Sequence, residues 1–112
     1  MQLKINNKNV EFNFGVRFVR ELDKVAGIEH EGVKIGYGVA KCLPELKAYD
    51  PAALSDVLYC ASFKSSPRPG QHEVDNYLET LTAEQLKKLF DNTIAEINKA
   101  TVLKLAIKNL KA

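Results

Sequence analysis

Apolar and polar side chains alternate over residues 1–5 and again over residues 10–14, with four polar residues between them. The apolar residues that would share one face of an extended segment are Leu3, Ile5, Val10, Phe12 and Phe14. A period of two is typical of strands with one buried face. Because an isolated hairpin is barely stable in water, such a face must be covered by other elements. The pattern therefore predicts a β-hairpin over residues 2–14 that packs on helices.

The register of this hairpin follows from placing every apolar residue on the same face. Leu3 then faces Phe12, and Ile5 faces Val10. This pairing leaves Asn-Lys at residues 7–8 as a two-residue turn, in which Asn suits the first position and Gly would be preferred at the second.

After residue 15 the apolar residues recur every three or four positions, which is the spacing of one helix face. A first helix is predicted over residues 15–26, ending at Gly27, with Arg17 and Glu21 paired on its exposed side. The residues predicted to form its buried stripe are Phe18, Val19, Leu22, Val25 and Ala26.

Residues 28–36 allow two interpretations. Val33 and Ile35 alternate with polar residues and favour a short strand, whereas the surrounding glycines favour a loop. Helical spacing returns after residue 38, but Pro44 interrupts it. Proline costs about 3 kcal/mol inside a helix, so a kink or a new turn starting at Pro44 is predicted.

Residues 50–63 are predicted to form the central helix of the core. Asp50 is a good N-cap, and Pro51 fits the first helical position, where its missing N–H costs nothing. The apolar residues cover most of the helix circumference, namely Ala53, Leu54, Val57, Leu58, Cys60 and Ala61. Such a broad stripe needs cover from more than one side. Ser55, Asp56 and Ser62 are predicted to face outward.

Two further helices follow a predicted loop at residues 64–70. Gly70 with Glu73 starts a short helix, and Thr82 with Gln85 forms a capping box for a longer one. Past Ile97 the apolar stripe loses its phase, so the helix is predicted either to break over residues 98–101 or to turn a different face toward a different partner. Together these patterns predict one domain over residues 1–112 with an α+β, mainly α fold: a hairpin at 2–14 and a body of about five helices at 15–98.

The remaining segment, residues 99–112, is basic and amphipathic, with four lysines and no acidic residue. Its candidate protein-binding residues are Leu103, Lys104, Ile107, Lys108, Leu110 and Lys111. Two interpretations remain open: the apolar row packs on the protein's own core, or it binds a partner protein. A membrane-surface helix is disfavoured because the row contains neither Trp nor Phe.

Composition narrows the possible functions. Sixteen basic and fourteen acidic side chains leave a net charge of +2, which is not the strong, clustered excess of a dedicated nucleic-acid binder. No stretch approaches the about 20 apolar residues of a membrane span, and no signal peptide is recognised. We therefore expect a cytosolic protein with no nucleic-acid or membrane partner.

Candidate chemistry is sparse. Cys42, Cys60, His30 and His72 have suitable side chains for zinc, but they lie on separate segments rather than in closely spaced pairs. Both cysteines fall in apolar patterns typical of buried, reduced thiols. We predict no catalytic residues, no metal site and no cofactor.

The order of motifs along nearly the whole chain resembles the tail assembly chaperones of long-tailed bacteriophages and prophages of Gram-positive bacteria. The motifs that carry the resemblance are LKI at 3–5, FNFG at 12–15, FVRELD at 18–23, DP at 50–51, LSDVLYCA at 54–61, RP at 68–69 and VDNYLE at 74–79. The resemblance implies a protein without enzymatic activity that acts in the host cytoplasm and is absent from the finished particle. It also implies binding to the tape measure protein and to tail tube subunits, and sometimes a longer frameshifted product or self-association.

Two other functional classes are kept as alternatives. One is a structural component of the particle, such as a head–tail connector or a tail-completion protein. The other is a small DNA-binding regulator, for which Arg17, Arg20 and Lys24 offer the best basic face, diluted by Glu21 and Asp23. Steep salt dependence of duplex binding would favour the second alternative.

Overall fold

The structure is a computed structural model that describes the backbone of residues 1–31, 33–35 and 37–111, and the side chains of residues 1–27, 31 and 37–108. The fold is α+β and mainly α, with an N-terminal hairpin packed on helices, as predicted. The elements are β1 (Gln2–Ile5), β2 (Lys8–Glu11), α1 (Val16–Ala26), β3 (Ile28–His30), β4 (Val33–Ile35), α2 (Gly38–Lys47), α3 (Pro51–Ala61), α4 (Gln71–Glu79), α5 (Ala83–Lys99), a 3₁₀ turn (Thr101–Leu103) and α6 (Lys104–Lys111).

The N-terminal hairpin is confirmed, but its predicted register is wrong. Leu3 faces Val10, and Ile5 faces Lys8, so the turn lies one residue earlier than predicted, at residues 6–7. Both turn residues are Asn with positive φ, 52° and 62°, as a type I′ turn requires and as Asn tolerates better than Lys. The partner of each residue changes by two positions, and an even shift keeps every side chain on its predicted face.

The structure supports the short strand predicted at Val33 and Ile35, because β4 pairs with β3 as an antiparallel hairpin. Of the three glycines that favoured a loop, Gly32 and Gly36 lie outside the described residues and Gly38 begins α2. Of the two outcomes predicted at Pro44, the new turn is wrong, because α2 continues through the proline from Gly38 to Lys47. The kink stays a prediction. Burial of Leu43 and Leu46 on either side of the proline offsets the cost of its missing hydrogen bond.

Helix α1 buries Phe18, Leu22 and Ala26 against α2 and α3. The predicted burial of Val25 is wrong, since this side chain lies at the edge of the buried face in the last turn and is exposed. The predicted exposed pair is confirmed: Nε of Arg17 donates to Oε2 of Glu21 at 2.9 Å.

Helix α3 is the centre of the core, and α1, α2 and α4 pack around it. Oδ1 of Asp50 accepts the backbone N–H of Ala52 at 3.0 Å, which confirms the predicted cap. Ser55 and Ser62 are buried rather than outward-facing. Ser55 lies beneath α4, where it donates to Asp75, and Ser62 donates to the carbonyl oxygen of Tyr59.

The predicted N-terminal caps of α4 and α5 are confirmed. The N–H of Gly70 donates to Oε1 of Glu73 at 3.1 Å, and Thr82 and Gln85 form the reciprocal bonds of a capping box. Within the described part of the chain, no helix combines the length and the apolar character needed to cross a membrane.

Candidate partner-binding surface

The predicted break before the C-terminal segment is confirmed. Helix α5 ends at Lys99, Ala100 adopts an extended conformation (φ −65°, ψ 117°), and a 3₁₀ turn follows. The N–H of Leu103 donates to the carbonyl of Ala100 at 3.0 Å and closes this turn. The chain is thereby redirected into α6, which packs on α2 and α5.

The structure places the predicted binding residues of this segment on different sides of the 3₁₀ turn and α6. Leu103 and Ile107 are buried in the protein's own core, whereas Lys104 and Lys108 are exposed. The side chains of Leu110 and Lys111 lie outside the described residues. In this conformation Lys104 and Lys108 are therefore available to a partner, whereas Leu103 and Ile107 are not.

A second apolar strip on the same segment was missed by sequence reasoning. The side chain of Val102 is 56% exposed and that of Leu105 is 81% exposed, and Ala106 is also exposed. Their spacing of three and four residues is a helix-face signal that the sequence contains. It was hidden by the overlapping row of Leu103 and Ile107.

This strip borders a cleft between α1, the start of α2 and α6. The cleft has a volume of about 290 Å³, and its apolar lining includes Val19, Val39, Val102 and Ala106. Side chains of this kind exclude water and favour an apolar ligand surface.

Gly38 fixes the wall of the cleft where α1 and α2 meet. A Cβ atom at this position would lie 2.9 Å from the carbonyl carbon and oxygen of Leu22, so a larger residue would force the two helices apart. Oδ1 of Asp23 accepts the N–H of Gly38 at 2.8 Å, and a carboxylate at a helix N-terminus is stabilising. Asp23 therefore contributes to holding the start of α2 in place.

The most connected charged group lies elsewhere, around Arg68. Nη2 of Arg68 donates to Oε1 of Glu21 at 2.5 Å and to the carbonyl of Tyr59 at 2.7 Å, and its guanidinium lies 4.2 Å from the centre of the Tyr59 ring. Burial raises the pKa of Glu21, but hydrogen bonds from Arg68 and Arg17 outweigh it, so the pKa falls below its usual value. These groups bind one another and tie the 62–70 loop to α1 and α3.

The cysteines are buried thiols, as predicted. Burial raises the pKa of Cys42 to about 11 and that of Cys60 to about 12, so both are protonated at neutral pH and neither is an activated nucleophile. Nε2 of His72 lies 3.2 Å from the side-chain nitrogen of Asn76, and the side chain of His30 is outside the described residues. No cluster of three or more metal-binding side chains occurs among the residues described.

Comparison with known proteins identifies the family of the chain. The family model described as phage tail assembly chaperone protein, TAC, matches residues 2–111. No curated protein and no solved structure matches the chain. The match extends from the first strand to the last helix, and the chain therefore belongs to the phage tail assembly chaperone family.

Proposed function

We propose that this chaperone binds the tape measure protein, keeps it soluble and helps to bring tail tube subunits to it during tail assembly. The observation that carries the proposal is the family match over residues 2–111. An exposed apolar helix aggregates unless another apolar surface covers it, and a small chaperone can supply that surface reversibly.

The contact region we propose is the C-terminal segment, residues 99–112. Lys104 and Lys108 are exposed there, and the strip of Val102 and Leu105 adds apolar surface beside them. A longer frameshifted form or a second copy of the chain could share this region. We further propose that the protein acts in the host cytoplasm and leaves before the particle is complete.

Co-expression tests this function. The tape measure protein of the same phage is produced in bacterial cells alone, with this chain, or with an unrelated small helical protein as the control. We expect its soluble fraction to rise only with this chain and the two proteins to co-purify. An unchanged soluble fraction in the presence of folded chaperone would refute tape measure binding.

Analysis of purified particles distinguishes the alternative of a structural component. A chaperone that leaves during assembly is absent from mature particles by quantitative mass spectrometry. Recovery in a fixed ratio to the tube protein would instead identify a component of the particle.

A further inference from the structure

The cleft between α1, α2 and α6 has an apolar floor that extends onto exposed surface. On α1, Val16 precedes the lining residue Val19 by one turn and is 55% exposed. On the opposite wall, the lining residue Val102 is exposed, and Leu105, three residues further along, is exposed on the adjoining surface of α6. The apolar surface is therefore an elongated strip between two helices, a shape that suits the apolar face of a third helix.

Tyr37 at the edge of the cleft adopts a conformation that is unfavourable for a side chain of its size. Its backbone is left-handed, with φ 74° and ψ 22°, and its side chain is 63% exposed. Tyr49 is also left-handed, with φ 60°, but its ring packs edge-to-face on Phe90 at 5.3 Å. Tyr37 holds an aromatic ring at the cleft with most of its surface in solvent, and backbone strain of this kind clusters at binding sites.

Exposed cationic side chains lie next to the apolar residues on both helices. On α1, the exposed Arg20 follows Val16 by four residues and so lies beside it on the helix surface. On α6, the exposed Lys108 follows Leu105 by three residues. Within the cleft, the carboxylate of Asp23 is bound to the N–H of Gly38. The charge pattern is complementary to a helix whose apolar stripe has acidic residues on both sides.

We propose that this cleft binds an amphipathic helix of another protein, with its apolar stripe against Val19, Val102 and Leu105 and its acidic flanks facing Arg20 and Lys108. The inference rests on the proposed chaperone function and names the chemistry of the segment that is recognised. A second copy of this chain is the poorer occupant, because an isologous contact brings the same cations to the same cleft.

Peptide binding tests the cleft directly. The probe is a synthetic helical peptide with Leu at positions spaced i, i+3, i+4 and i+7 and Glu on both flanks, and the matched probe carries Lys in place of Glu. Binding to the full chain is followed by methyl NMR. We expect shifts at Val16, Val102 and Leu105 but not at Val25, and affinity for the Glu peptide about tenfold or more above that for the Lys peptide, with the difference shrinking as salt is added.

Surface variants make the test specific to the cleft. Val102→Glu combined with Leu105→Glu should weaken binding of the Glu peptide about tenfold or more, because it places acids where apolar contact is expected. Val25→Glu is the matched control, since Val25 is 52% exposed and lies on the opposite side of α1 from Val16. Circular dichroism checks that each variant remains folded.

The outcomes of these experiments distinguish a failure of the cleft proposal from a failure of the proposed function. Equal affinity for the two peptides, or no effect of the double variant, would overturn the cleft proposal even if the tape measure protein is solubilised. Ultracentrifugation could instead show that the chain forms a dimer that the double variant abolishes. If the peptide also fails to bind, this result would overturn the cleft proposal in favour of a second copy as the occupant. Peptide binding at the cleft with no solubilisation would uphold the cleft and refute the tape measure function.

Discussion

Helices α3 and α6 are both rich in apolar residues, but the protein uses them differently. Other helices surround α3, and its large apolar side chains, including Leu54 and Leu58, are fully buried. Helix α6 packs with one side on α2 and α5, while Leu105 on α6 and Val102 in the preceding 3₁₀ turn face solvent. Apolar content alone therefore does not identify the core. The apolar surface of α6 that the fold leaves uncovered is the part available to a partner.

The largest expected effect is a difference in the free energy of unfolding between variants of the two helices. Leu58→Ala in α3 should lower the free energy of unfolding by about 3 kcal/mol, because it leaves a cavity in a closely packed core. Leu105→Ala in the exposed strip should change it by less than about 0.5 kcal/mol. Urea unfolding of both variants measures the difference. Similar losses would mean that α6 is as much a part of the core as α3.

The next effect concerns the ion pair that ties the 62–70 loop to α1 and α3. Glu21→Gln should lower stability by about 1.5 kcal/mol at pH 7, because Arg68 loses a charged acceptor in a partly buried site. The pKa of Glu21 is lowered in the folded protein, so its contribution is present above the unfolded pKa of about 4.5 and is lost as pH falls through the lower folded pKa.

Denaturant unfolding at several pH values measures this contribution. The gap between wild type and Glu21→Gln should narrow as the pH is lowered below the unfolded pKa of about 4.5. Glu45→Gln is the control, because Glu45 forms a more exposed pair with Lys41 at 3.5 Å and should cost less than about 0.5 kcal/mol. A gap that persists unchanged at low pH would contradict the assigned role of the Glu21 charge.

A smaller effect is expected at the first turn of the buried helix. Asp50→Ala should lower stability by about 1 kcal/mol, because two N–H groups of α3 lose the carboxylate that accepts them. Asp50→Asn keeps a capping oxygen and should retain most of the stability. Thermal unfolding compares the two variants, and an equal loss in both would indicate that charge rather than capping matters there.

Sequence patterns among residues close together in the chain were sufficient to predict much of the fold. The cap at Asp50 with Pro51, the capping box of Thr82 and Gln85, and the break after Lys99 are all confirmed. Each depends on residues within a few positions of one another, so the sequence carries the information directly.

Features that depend on distant contacts were not predicted. The hairpin turn forms at two Asn residues, and the side chain of Asn6 donates to Oε2 of Glu73 at 2.5 Å, far along the chain. Ser55 is buried because α4 covers a side of α3 that was predicted to be exposed from the polar residues of the α3 sequence. In the same way, packing of α6 on α2 and α5 decides that Leu103 faces inward and Leu105 outward.

Hydrogen–deuterium exchange on the complex with tape measure protein tests the central claim most directly. The rate of amide exchange reports, for each element separately, how readily its backbone hydrogen bonds open and whether a partner protects them. We expect slower exchange in α6 and the first turns of α1 when the partner is bound, with α3 unchanged because it is already covered. Slower exchange confined to α4 and the N-terminal hairpin, with α6 unaffected, would contradict the claim that the exposed face of α6 receives the partner.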